Sequence, residues 1–454
     1  MNSAKSLNHD ILTLVIAALE NKRDVVRVMK ACHALEEAGR RKLLSFPITI
    51  DADNLETIHN SIITQTKNYC AHLRHLDIKE YSVSEEQIRK IAEILRHAKY
   101  LEHLNVGIQH TFMVPEFAES MSNLQNLREL QLLNPDEPLL AAVKLIKSPL
   151  VELVVVSARS ELSHRTELST LIRNFTSSLE VLRVKRVTLH DLDFQCPRLR
   201  VLYLTGLPSE FISAHKLVHA FPNLAILGLD GDGRIPETVS PDYRERNAAE
   251  PPSSPWPRLE LAEGQVEYIW TLALKCPIRS LAVTWYGVGM EYEMFEDLDV
   301  THTPTTMLLL IFPADDDQLE YFEEYFSKPP AWTETRFEIQ ASAFEDSDEI
   351  EDFMDRFLDM IKELHLQYIE VDFDYGEDAL EDVQDWFDVQ FRPKDFVRKL
   401  SQAIPCLQKA HVDFGGFAGT VWKIMESKSG RKTKLLNSLP QSDRPKTFTT
   451  DRRI

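Results

Sequence analysis

The side chains able to do chemistry here are histidine, acid and cysteine, and their spacing restricts what that chemistry is. His75 and His103 stand 28 residues apart in matching contexts, H-L-D-I and H-L-N-V. Two neighbouring imidazoles suit a metal or an acid–base pair, but no third ligand or ordering acid accompanies them. Asp372, Asp374 and Gly376 begin like a calcium loop. The closing position, which must supply a bidentate acid, is Val383, so no EF-hand is expected. Gly231-Asp232-Gly233-Arg234 is the nearest approach to a phosphate loop, and it reads as a turn. The five cysteines lack C-x-x-C spacing, which argues against structural zinc. Cys196-Pro197 and Cys276-Pro277 fall at equivalent positions, as buried packing residues do. No catalytic group, cofactor or metal site is therefore predicted, and the chain is not read as an enzyme.

The chain has 454 residues, 43% of them hydrophobic, enough for a sizeable buried core. An odd number of cysteines, spread from Cys32 to Cys406, gives no disulfide framework and suits a reducing compartment, cytoplasmic or nuclear. Ile11–Leu19 is an apolar run, but Asn8, His9 and Asp10 abut it and Glu20, Lys22 and Arg23 follow, unlike a signal peptide. No run approaches the ~20 apolar residues of a membrane span, so no membrane association is expected. The net charge is −20, which argues against nucleic acid as a partner. The acidity is local: residues 291–390 hold 31 Asp and Glu against four Lys and Arg. These acids alternate with aromatic residues and leucine, as on ordinary solvated faces; the alternative is a long-range field that steers basic partners.

The elements that position these groups are set by a repeat, L-x-x-L-x-L. It occurs at Leu73-Leu76-Ile78, Leu101-Leu104-Val106, Leu127-Leu130-Leu132, Leu150-Leu153-Val155, Leu179-Leu182-Val184, Leu199-Leu202-Leu204 and Leu224-Leu227-Leu229. Weaker copies are Ile278-Leu281-Val283, Leu366-Ile369-Val371 and Leu407-Ala410-Val412. Successive steps of 28, 26, 23, 29, 20 and 25 residues match the period of leucine-rich repeats, roughly 20–29. Pro149, Pro197, Pro222 and Pro277 precede the motifs and separate helix from strand. Between motifs the spacing turns helical, as in Ile88, Ile91, Ile94 and Leu95 behind a capping Ser84. The expected fold is an α/β solenoid over 51–415, with parallel strands on a concave face and helices outside. The ninth motif position, usually Asn or Cys in leucine-rich repeats, is Tyr81, Gln109 or Pro135, so irregular repeats are expected. Residues 231–256 read as an inserted loop, and 416–454 as a basic, disordered tail. The period of two puts His75, Asp77, His103, Asn105, Gln131, Arg183 and Tyr203 on the concave face, where they are candidates for contact with a protein ligand.

Residues 1–50 form a separate unit. Helical spacing predicts three short helices: one near Asp10–Leu19, one starting at Asp24 as N-cap, and one holding Leu35, Ala38, Leu43 and Leu44. The order Leu7, Asp10-Ile11-Leu12, Val15, Leu19, Asp24-Val25, Val28, Cys32 and Leu35 resembles an F-box motif. Asn8 stands where that family usually has proline, and its usual Trp after the Cys is absent. An F-box followed by irregular leucine-rich repeats is similar to the expanded F-box-like families of mushroom-forming fungi. The resemblance implies that Leu7, Ile11, Leu12, Val15, Leu19, Val25, Val28 and Leu35 dock onto a Skp-type adaptor and, through it, a cullin. It implies a substrate-recognition subunit of an SCF-type ubiquitin ligase, the solenoid presenting an unknown target protein. The alternative is an interaction scaffold without ligase attachment, whose N-terminal helices cap the first repeat. A cap packs Ile11, Val15 and Val28 onto that repeat; a receptor leaves much of that surface exposed.

Overall fold

The structure, a computed structural model, describes residues 9–31, 35–63, 69–79, 84–107, 114–156, 166–231, 235–236, 239–251, 255–284, 291–302, 304, 306–311, 316–326, 332–340, 344, 346–374, 383, 386–414, 420–427 and 430–436. Leu7, Cys32, Tyr81, Gln109, Asp232–Arg234 and Gly376 lie outside them. The chain divides into two compact units, residues 1–201 and 202–454.

Unit 1 opens with α1 (His9–Ala18), α2 (Lys22–Ala31) and α3 (Glu36–Leu43). The second helix starts earlier than expected: Asn21 accepts the Arg23 N–H on Oδ1, and Asp24 falls in the first turn. Gly39 lets α3 approach α2, since a Cβ there would lie 2.1 Å from Met29 Cγ. Strands and helices then alternate: β1 (Ile48–Ile50), α4 (Leu55–Ile63), β2 (His75–Ile78), α5 (Glu85–His97), β3 (His103–Val106), α6 (Pro115–Ser122), β4 (Glu129–Leu133), α7 (Glu137–Val143) and β5 (Glu152–Val156). After β6 (Thr166–Glu167), α8 (Leu168–Ile172), β7 (Val181–Lys185) and β8 (Val187–Thr188), the unit ends. The strands β1-β2-β3-β4-β5-β7 lie side by side and parallel in chain order, while β6 and β8 make a separate pair. Parallel neighbours require a crossover, and the helices supply it. Ser84 starts α5 with a reciprocal capping box: its hydroxyl accepts the Gln87 N–H, and Gln87 accepts the Ser84 N–H. Ile88, Ile91, Ile94 and Leu95 bury the inner face of that helix. In place of an asparagine ladder, Asn126 donates to the Lys99 carbonyl and Asn174 to that of Lys144.

Unit 2 repeats the plan with β9 (Val201–Leu207, beginning at the division), α9 (Ala214–Ala220), β10 (Ile226–Gly231), α10 (Ser240–Ala249), β11 (Leu259–Gln265), α11 (Val266–Thr271) and β12 (Ile278–Thr284). It continues through α12 (Glu291–His302), β13 (Thr306–Ile311), α13 (Asp316–Phe326), β14 (Glu334–Gln340), α14 (Ser347–Ile361), β15 (Tyr368–Asp374), a π-turn at Trp386–Gln390, α15 (Pro393–Ala403) and β16 (Lys409–Phe414). The strands again follow chain order, parallel from β10 to β16. Each unit is thus an open, mostly parallel α/β sheet with crossover helices, not a barrel.

Two expectations are corrected here. Residues 420–436 are not a disordered tail: β17 (Thr420–Ser427) and β18 (Gly430–Leu436) pair antiparallel and close the end of the sheet. Trp422 and Ile424 are buried on one side of exposed Lys423, an alternation that the basic composition obscures. Residues 437–454 lie outside the described chain. The segment 231–256 is not simply a loop, because it contains α10. That helix is anchored by polar groups and so lacks apolar periodicity. Buried Asn247 donates to the carbonyls of Ile212 and Thr271 and accepts the Ala214 N–H. Arg244 pairs with Asp297 at 2.5 Å and stacks over Trp270.

Candidate functional site

In unit 1 the pleat sends Leu76, Ile78, Leu104, Val106, Leu130, Leu132, Leu153, Val155, Leu182 and Val184 into the core. The alternate residues form two cross-strand rows on the helix-free face. One row runs His75–His103–Glu129–Glu152–Val181 and the other Asp77–Asn105–Gln131–Val154–Arg183. Their members on β2 to β5, His75 to Glu152 and Asp77 to Val154, line a groove of about 290 Å³, with Pro47 at one edge. The His75 and His103 rings stack, with centroids 4.0 Å apart and planes 12° from parallel. Burial, and then His103 beside it, lowers the His75 pKa and keeps that ring neutral. His103 Nδ1 lies 2.5 Å from Glu129 Oε2. Burial, and then Glu129, raises the Glu152 carboxyl above the usual range.

Of the predicted contact residues, His75, Asp77, His103, Asn105 and Gln131 come together in this groove, and Arg183 lies at its β7 end. Tyr203 belongs to unit 2. It lies flat over Gly228, where a Cβ would sit 2.1 Å from its ring, and its hydroxyl donates to Glu263 Oε2 at 3.1 Å. Glu129 and Glu152 were missed, although the same period of two, counted back from Gln131 and Val154, identifies them.

The helix-free face of unit 2 is partly covered. Tyr368 packs with Leu261 and Ala282, and Ser280, Thr306, Glu370 and His411 are buried beside them. Arg336 reaches Asp372 at 2.7 Å and Glu370 at 3.6 Å. Tyr368 donates to Glu370 Oε2 at 3.1 Å, and His411 Nδ1 lies 3.5 Å from Glu370 Oε1. Burial alone would raise the Glu370 carboxyl; His411 and Arg336 outweigh it and hold the group below its ordinary range.

The N-terminal helices divide their labour. Glu37 of α3 accepts the Tyr69 hydroxyl of the first repeat, and Lys42 donates to the Ala17 carbonyl of α1. Ile16, Val25 and Leu35 are buried in the bundle, so Val25 and Leu35 shape it rather than face a partner. Leu12, Leu19 and Val28 are half-buried. On α1, Ile11 is 50%, Leu14 69% and Val15 47% exposed, a stripe at i, i+3 and i+4. Leu14 was missed because the motif spacing passes over it; helical periodicity alone includes it.

Among the described residues no cluster of three or more His, Cys, Asp or Glu side chains is placed to hold a metal ion. Among them too, no helix is long and apolar enough to cross a membrane. Burial pushes the Cys70 and Cys196 thiols up to about 12 and that of Cys276 to about 11, which makes them unreactive at neutral pH. The chain matches no family model and no curated protein.

Proposed function

We propose that this chain is the substrate-recognition subunit of an SCF-type cullin-RING ubiquitin ligase, a divergent F-box protein with a solenoid of irregular leucine-rich repeats. In this reading Ile11, Leu14 and Val15 dock onto a Skp-type adaptor, and the open face of unit 1 holds the target protein. Catalysis belongs to partner subunits, and the protein works in the cytoplasm or nucleus. The supporting observation is the exposed stripe on α1. A helix face of this kind, left open while α3 seats the bundle, fits a helix-packing partner. The competing reading, a scaffold whose first helices only cap the array, draws on the contact between Glu37 and Tyr69.

Co-purification with a Skp-type adaptor separates the two. The full chain is compared with a chain lacking residues 1–50 and with the triple variant I11S/L14S/V15S, whose changes are on the surface. Adaptor retained by the full chain and lost from the folded triple variant is the expected result. A folded full chain that retains no adaptor overturns the ligase reading and leaves the scaffold.

A further inference from the structure

The groove on unit 1 is rich in hydrogen-bond acceptors and negative charge. Glu129 and Glu152 are direct cross-strand partners, an arrangement of like charges that destabilises a sheet. His103 Nδ1 lies 2.5 Å from Glu129 Oε2, whereas Glu152 makes no ion pair among the described residues. Arg183 and then His103 offset only part of the cost of its burial. In the adjoining row, between Asp77 and Gln131, the Asn105 side-chain oxygen is buried without a hydrogen-bond partner among the described residues. The stacked His75 and His103 rings add a flat aromatic wall beside these acceptors. The volume, about 290 Å³, is at the low end of ligand cavities and suits one long side chain.

We infer that this groove takes an arginine side chain from an extended segment of the target protein, with Glu129 and Glu152 as its carboxylate partners. The inference rests on the reading that this face binds the target, and it adds the chemistry of recognition. A guanidinium supplies what the groove lacks. It carries five N–H donors in a plane that can stack on the imidazoles while pairing with carboxylates. A lysine brings the charge without the plane, so it fits less well.

The test uses the full chain and synthetic peptides at physiological salt, followed by isothermal titration. The probes are acetyl-Gly-Arg-Gly-Arg-Gly-amide and its lysine, citrulline and glutamate counterparts. The arginine peptide is expected to bind at least tenfold more tightly than the citrulline peptide and severalfold more tightly than the lysine one. The double variant E129Q/E152Q loses that preference yet stays folded, with a Tm equal to the parent's or about 1–3 °C higher. A control, D352N/E293Q, removes two exposed acids of unit 2 and retains it. Equal binding of arginine and citrulline or lysine peptides overturns the inference, as does binding that survives in E129Q/E152Q. Equal loss in the control assigns the effect to the acidic field of unit 2 and also overturns it. A glutamate peptide that binds the groove leaves a binding face of opposite preference, so the inference fails alone. The adaptor experiment reads α1 independently of this groove, so failure of the ligase reading shows separately.

Discussion

The helix-free faces of the two units treat their carboxylates in opposite ways. In unit 2, buried Glu370 is met by Arg336, Tyr368 and His411, and Asp372 pairs with Arg336, although Arg336 Nε, Ser280 Oγ and the His411 ring nitrogens are buried without a hydrogen-bond partner among the described residues. In unit 1 the corresponding positions stay half-exposed, with two carboxylates side by side and a buried amide oxygen unpartnered among the described residues. A face whose charges are met internally serves stability. A face that keeps like charges adjacent gives up stability, which is the usual signature of a surface completed by a ligand. The proposed division, structure on one face and recognition on the other, rests on this contrast.

The largest test of that contrast is Glu370→Ala. It removes the centre of the network: Arg336 keeps Asp372, but the Tyr368 hydroxyl and His411 lose their buried carboxylate, a change that costs about 3 kcal/mol. Denaturant unfolding of the full chain reads it, preferably through the midpoint of the transition in which unit 2 melts. A loss below about 0.5 kcal/mol, the range of ordinary surface changes, would mean that the covered face is not a structural lock.

Next comes Asn247→Ala, on the helix inserted between β10 and β11. Its buried amide bridges two carbonyls and an N–H, so truncation strands three backbone groups at about 2 kcal/mol. Limited proteolysis within 231–256 is expected to accelerate in step with the loss of stability. Protection equal to the parent would return this segment to the status of an appended loop.

These sites show what was legible in the amino-acid order and what was not. The strands of unit 1 announce themselves because each sends two or three apolar residues to the same side, and the motif counts them directly. The helix α10 does not, because Asn247 and Arg244 hold it through hydrogen bonds and a cation–π contact rather than an apolar stripe. The same limit applies to the open face of unit 1. Counting by two and aligning the motifs sets His75 beside His103 and Glu129 beside Glu152, but does not show that the imidazoles stack. Stacking depends on side-chain rotamers, which the spacing does not encode. Tyr203 was placed on the right side of its strand, yet its hydroxyl is occupied by Glu263, a partner 60 residues away.

Titration distinguishes the carboxylates of the two faces by sign. Glu370 has a lowered folded pKa, so its contribution is present above about pH 4.5 and is lost as pH falls through the folded value. His75 also has a lowered folded pKa. The unfolded chain takes up its proton first, and stability falls as the pH drops below about 6.5. Glu152 runs the other way: its raised folded pKa means that acidification above about pH 4.5 relieves a cost present at neutrality. His75→Gln should therefore flatten the acid-side fall in unfolding free energy, and Glu152→Gln should steepen it. Equal slopes in the two variants would remove the electrostatic distinction drawn for unit 1.

The smallest effect is the most diagnostic. At pH 7, Glu152→Gln removes one of two adjacent like charges and keeps the shape, which should stabilise the chain by about 0.5 kcal/mol. The gain should shrink as the pH falls towards about 4.5, because a protonated Glu152 is already neutral and then resembles glutamine. A residue kept only for the fold would lose stability on the same substitution at every pH. A gain at neutrality that fades in acid, accompanied by weaker binding of the arginine peptide, separates a carboxylate held for a ligand from one held for the sheet. A loss of stability at pH 7 would place Glu152 with Glu370 and erase the difference between the two faces.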